Sequence, residues 1–290
     1  MDSISISSDP YEFDLDENGV LALTEGNVKR IDFLINNDSR YRLGADPDNP
    51  LSLDSYTKNL SKCKDPSRWK ESDLGPIIKM IDIQNSTHQM VTGVIKDPTQ
   101  PDVKNNEGWQ KTAEYICQNI NNWSSRLEKE DQTLVHDIAL ALYKEDGSGR
   151  YTFSFASKFC AYMSRALYNS DTYSLYDSVV TRVIPYYAWA YLGENKYFAR
   201  KHGKIGKVFG IDHKEGDYAG YNALIGRIIE ANKEITGYEI SRKDFDHLLW
   251  YYFKGDWDRK DENKELVHES RTTKALKFVN NEEAILKTCK

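Results

Sequence analysis

The chain has no apolar run of about 18 residues, so no stretch can span a bilayer as a helix. Its opening, Met1 to Asp16, lacks the basic-then-apolar order of a secretory signal. These absences predict a cytoplasmic protein with no membrane partner. Cysteine is scarce: Cys63, Cys117, Cys160 and Cys289 are far apart, no CxxC is present, and the histidines do not cluster with them. That spacing excludes a disulfide framework or a zinc site and predicts reduced thiols with no metal. A basic excess is also missing. The net charge of −6 argues against a protein that coats nucleic acid by charge alone. No repeat is present, and no strand–helix alternation. The latter excludes the α/β barrels that carry many Schiff-base enzymes acting on small carbonyl compounds.

Apolar residues make up 39% of the chain and aromatics 12%, which is enough for a sizeable core and excludes wholesale disorder. At 290 residues the chain is one large domain or two small ones. Charge divides it unevenly. Residues 1–50 hold eleven acidic and four basic side chains, whereas residues 151–210 hold eight basic and three acidic. We expect an acidic N-terminal region (1–100), partly irregular and packed on the core. A helical core (101–255) and a charged tail (256–290) follow.

The apolar periodicity is helical. Val28, Ile31 and Leu34 mark a short helix over 26–36, and Leu74 to Ile83 a second. A helical turn is expected near 51–60 and a proline-containing loop over 97–106. Trp109, Ala113, Ile116 and Ile120 define a helix from Glu107. Leu127, Leu134, Ile138 and Leu142 read as one further helix. Phe155, Phe159, Met163 and Leu167 mark another. A turn over 168–173 precedes a helix expected over 175–192, bent or broken at Pro185. Tyr221, Leu224, Ile225 and Ile228 form the next. Ser241 and Asp244 read as a capping pair opening the last, which turns Phe245, Leu248, Leu249, Tyr252 and Phe253 inward.

Chemistry concentrates around Lys158, which sits among Phe155, Ala156, Phe159 and Cys160. Burial disfavours the charged form of a lysine amine, and a neutral amine is a nucleophile that forms Schiff bases. Asp177 opens the next apolar stretch. A carboxylate can take a proton from such an amine or stabilise positive charge on a sugar carbon. The pair therefore suits attack at an acetal-like carbon such as C1′ of a nucleoside. From residues alone, a second reading stands beside this one. Lys158 lays its stem on the core with its head in water, and Asp177 caps a helix.

The order Ser154-Phe155-Ala156-Ser157-Lys158, apolar helix, loop, Leu175-Tyr176-Asp177, apolar helix resembles the active-site segment of the 8-oxoguanine DNA glycosylases, of the helix-hairpin-helix superfamily. The resemblance extends over about 130–255 and is specific between Tyr151 and Ile184. It implies a mainly α fold, with two helical subdomains around a cleft. By this likeness Lys158, opening the second helix of the hairpin, is the nucleophile and Asp177 its partner. Ser157 matches the hydroxyl residue before the lysine. The family's two hairpin glycines are replaced by Ser154 and Ala156, so the hairpin is divergent. The close cysteine set of the iron–sulfur relatives is missing, and no cofactor is expected.

The resemblance implies DNA carrying an oxidised or otherwise modified base as partner, with glycosylase and AP lyase activity. Tyr162, one turn after Lys158, corresponds to a base-pocket position, and Trp250 and Phe245 are candidates for the opposite wall. Ser154, Ser157 and Arg182 are candidate phosphate contacts. So are Arg200, Lys201, Lys204 and Lys207 in the Gly- and Lys-rich stretch 194–216. The alternative from another class keeps this scaffold without catalysis, as a nucleic-acid-binding or regulatory protein in antiviral defence.

Overall fold

The computed structural model describes residues 12–37, 66–85, 107–143, 151–197, 209–210 and 216–254. Over these the protein is mainly helical. Nine α-helices occur among the described residues: α1 (Glu25–Asn37), α2 (Glu71–Asn85), α3 (Glu107–Asn119), α4 (Trp123–Glu128), α5 (Thr133–Ala139), α6 (Phe153–Tyr168), α7 (Val180–Leu192), α8 (Tyr218–Thr236) and α9 (Arg242–Lys254). No strand is present among them beyond an isolated bridge between Leu15 and Leu21. None of the described helices is long and apolar enough to cross a membrane. The chain divides into two compact units, Met1–Leu43 with Asp177–Val208 and Ala223–Lys290, and Gly44–Tyr176 with Phe209–Asn222. The segment 101–255 thus contributes to both.

In the first unit, Thr24 caps α1: its hydroxyl accepts the Asn27 N–H at 3.2 Å. Val28, Ile31 and Leu34 then recur on one buried face. That helix packs against α9, which packs against α7. Ser241 starts α9 as its capping residue, its hydroxyl accepting the Asp244 N–H at 3.0 Å. Phe245, Leu248, Leu249, Tyr252 and Phe253 are all buried, as the periodicity predicts.

A tight loop precedes α1. The Asp16 carboxylate accepts the N–H groups of Asn18 and Val20, each at 2.9 Å. Gly19 turns the chain at φ +73°, a conformation that side chains rarely adopt. Asn27 is fully buried and clamps the loop's two ends. Its amide donates to the carbonyls of Asp14 at 2.8 Å and Ala22 at 2.7 Å, and its Oδ1 accepts the Asp14 N–H at 2.9 Å. Three tyrosines of α7 grip the same loop. Tyr186 bonds the Asp16 carboxylate, Tyr187 donates to the Leu21 carbonyl at 2.8 Å, and Tyr191 accepts the Leu23 N–H at 3.4 Å. Burial, with Asp16 beside it, pushes the Tyr186 phenol far above its usual range, so it stays a donor. The helix ends at Gly193, φ +67°, and Glu194 pairs there with Arg227 and Lys196.

The second unit is built around α6, on which α2, α4 and α5 pack. Ten of its residues are buried, from Phe153 to Ser164. The Trp123 ring lies 6.0 Å from those of Phe159 and Trp69. Between α2 and α3, the Trp109 indole donates to the buried Asp82 carboxylate at 2.8 Å. Thr152 joins α5 to α6, its N–H donating to the Ala139 carbonyl at 2.9 Å.

Several expectations need correction. The helix expected over 127–142 is two helices, α4 and α5. Glu130 breaks it at φ +59°, and Asp131 restarts it by accepting the Thr133 N–H at 3.0 Å. Lys158 does not open its helix. It lies in the second turn of α6, and Ser154 and Ala156, which stand where the family has hairpin glycines, are helical. The helix expected from Leu175 begins only at Val180 and continues through Pro185 without a break. The features expected near 51–60, 97–106 and 256–290, with Cys63 and Cys289, lie outside the described residues.

Two outcomes follow. Asn27→Ala strands buried polar groups of the loop and lowers stability by about 2–3 kcal/mol, read from the midpoint of urea unfolding. The Glu194 carboxyl is held down to about 2, foremost by the Arg227 guanidinium, with burial opposing. Its unfolded value is near 4.5. The ion pair therefore stabilises fully above that pH, and the contribution is lost as pH falls toward 2. Unfolding curves of Glu194→Gln and the parent protein should differ at pH 6 and converge at pH 2.

Candidate active site

The site is set by the stretch that leaves α6. Asn169 ends the helix at φ +52°, which asparagine tolerates better than most residues. The chain then runs irregularly to Tyr176. Inside a protein, such backbone must find hydrogen-bond partners outside any regular ladder. Here side chains supply them. The Ser174 N–H donates to Asn222 Oδ1 at 2.9 Å, and the Asn222 amide donates to the Thr172 carbonyl at 3.0 Å and to Gln132 at 2.8 Å. Tyr218 and Tyr221 donate to the carbonyls of Ser174 and Leu175, each at 2.8 Å. Tyr173 reaches back to the Asp131 carbonyl at 3.1 Å. Glu130 receives the hydroxyls of Ser170 and Thr172.

This segment delivers Tyr176 to the first turns of α6. The Tyr176 N–H donates to Ser157 Oγ at 3.0 Å, and the Ser157 hydroxyl donates to the Ser154 carbonyl at 3.1 Å. The Lys158 amine donates to Ser154 Oγ at 2.9 Å and lies 3.5 Å from the Tyr176 carbonyl. Lys158 is only 2% exposed, so its amine is not in open solvent. The Tyr176 ring is half-buried, edge-on to Phe153 at 5.2 Å and to Tyr221 at 5.5 Å.

Asp177, the next residue, belongs to the first unit and is 6% exposed. Its Oδ1 accepts the Val179 N–H at 2.7 Å and its carbonyl the Thr181 N–H at 2.9 Å. Its carboxylate thus lies two residues ahead of Val179, the N-cap of α7, near the helix end where a negative charge is favoured.

The remaining expected residues fall as follows. Tyr162 is half-buried on α6, in the second unit with Lys158. Trp250 is half-buried on α9 in the first unit, its ring 4.7 Å from that of Tyr251. Phe245 lies in the core of the first unit. It is 1% exposed and edge-on to the buried Tyr187 at 6.2 Å. Ser157 is fully buried, its hydroxyl accepting the Tyr176 N–H and donating to the Ser154 carbonyl. Ser154 is half-buried with its hydroxyl on the Lys158 amine, and Arg182 is half-buried in the first turn of α7. Arg200, Lys201, Lys204 and Lys207 lie outside the described residues. The sequence reading missed Asn222, Tyr218 and Tyr221. Their signal was an asparagine and two hydroxyl-bearing rings on the apolar face of a helix.

Comparison with known proteins finds one family whose model matches, HI_0787_N, described as an N-terminal domain, over residues 53–167. The matched stretch is less than half of the chain. It includes Lys158 and ends before Asp177. No curated protein and no solved structure matches.

Asn222→Ala leaves Ser174, Thr172 and Gln132 without their shared partner. It should cost about 2–3 kcal/mol and speed hydrogen exchange at the Ser174 amide well beyond the change at amides of α3.

Proposed function

We propose that this protein is a helical DNA glycosylase with AP lyase activity, excising an oxidised or otherwise modified base with Lys158 as nucleophile and Asp177 as partner carboxylate. One observation carries the reading. An amine is held at 2% exposure inside an apolar helix, bonded to Ser154 and lying 3.5 Å from the carbonyl just before Asp177. Burying a lysine head is costly, and a lysine needed only for packing can keep its head in water. A fixed, dehydrated amine is what nucleophilic attack at C1′ requires.

The chemistry follows from these two groups. The Lys158 amine attacks C1′ and forms the N–C bond. The glycosidic bond breaks, and its electron pair leaves on the base nitrogen. Asp177 stabilises the developing sugar cation and takes a proton from the attacking amine. The adduct ring-opens to a protonated Schiff base, O4′ taking back the proton held by Asp177. The departed base anion then accepts a C2′ proton, and the C3′–O bond breaks with its electron pair leaving on the 3′ phosphate. Phosphate contacts would come from polar and basic groups, Ser154 and Arg182 among them.

A second reading is favoured by the same hydrogen bonds. Lys158 would serve as a brace for the 169–176 segment in a nucleic-acid-binding or regulatory protein, with defence against viral DNA as one setting. Incubation with duplexes carrying different modified bases, followed by borohydride reduction and a strand-scission gel, separates the two. Glycosylase action yields a covalent protein–DNA adduct that Lys158→Ala abolishes. Asp177→Asn slows excision by about 10²–10⁴-fold and changes DNA affinity little. DNA binding with no adduct on any duplex establishes the brace instead.

A further inference from the structure

The attacking amine constrains what stands beside the substrate. A sugar carbon reacts only when it comes within about 3–3.5 Å of the nucleophile. The Lys158 amine is itself 3.5 Å from the Tyr176 carbonyl. A nucleotide in reach of the amine therefore passes along Tyr176, with its base joined to the same carbon that is attacked. An extruded base needs a flat apolar surface to replace the neighbours it left in the duplex.

Tyr176 is suited to that task by how it is held. Its N–H is fixed by Ser157 at 3.0 Å, and the two preceding carbonyls are fixed by Tyr221 and Tyr218 at 2.8 Å. Phe153 at 86° and Tyr221 at 73° make T-shaped contacts with its ring. Its neighbours Tyr173, Ser174, Leu175 and Asp177 are buried, whereas Tyr176 retains solvent exposure. A rigid, partly exposed aromatic ring thus stands on the residue whose main chain meets the amine. We infer that Tyr176 is a specificity-determining residue that stacks on the extruded base, and that the ligand at this position is a planar aromatic base. The inference rests on the glycosylase reading, which does not itself require Tyr176.

The test uses the full chain and two duplexes, one with a modified base that the protein excises and one with a preformed abasic site. The abasic duplex has no base to stack but still offers its sugar to Lys158. Tyr176→Leu should cut base excision roughly tenfold or more, in keeping with the loss of one base–aromatic stack. Borohydride trapping on the abasic duplex should stay near the parent level, and Tyr176→Phe should restore excision. Unchanged excision in Tyr176→Leu overturns the inference and leaves the glycosylase reading standing. So does an equal loss on both duplexes, which marks the ring as a packing element. If Tyr176→Leu does not fold, Tyr176→Met, flexible and of similar volume, is read by the same criteria. No trapping by the parent protein on either duplex overturns both.

Discussion

Buried backbone without a regular ladder is the constraint on which the second unit depends. Residues 169–176 form neither helix nor strand. The N–H groups of Asn169 and Ser170 still reach carbonyls of α6, but between Thr172 and Tyr176 main-chain groups meet side chains instead. Asn222 serves both a donor and an acceptor of the segment, and the hydroxyls of Tyr218 and Tyr221 take the next two carbonyls. Once the segment is fixed, the position of Tyr176 is fixed, and with it two of the groups around α6: the hydroxyl of Ser157 and the amine of Lys158. Lys158 is thus set in place by contacts distant in sequence as well as by its own helix.

The first unit solves a similar problem by similar means. The loop ahead of α1 is gripped by hydroxyls of Tyr186, Tyr187 and Tyr191 on α7, and by the amide of Asn27. A tyrosine buries a large apolar ring and still brings a donor to a backbone carbonyl. That use gives structural meaning to the tyrosines of α7 and α8, which composition alone could register only as core-forming mass.

The sequence made the apolar faces legible. Val28, Ile31 and Leu34, and the face from Phe245 to Phe253, are buried as their spacing implies. The Ser241–Asp244 cap was legible too, because its signal is local. What was not legible depended on contacts between distant residues. Leu175 continues an apolar pattern, yet α7 starts five residues later, because the Leu175 carbonyl is claimed by Tyr221 and the Tyr176 N–H by Ser157. The split between α4 and α5 could have been read from Asp131 and Thr133, a capping signature hidden within a periodic run. Ser157 read as a candidate phosphate contact beside a lysine, whereas the fold encloses its hydroxyl. The enclosure of Lys158 agrees with its apolar neighbours in sequence.

One consequence concerns how such a chain changes over time. Asn222, Tyr218 and Tyr221 hold main-chain atoms, which every amino acid carries alike. Leu175 is therefore free to drift, provided its side chain still packs. The three gripping residues are not. Distant homologues too diverged for residue-by-residue similarity should betray themselves by a tyrosine, then a tyrosine–asparagine pair three positions on, at the head of a late helix.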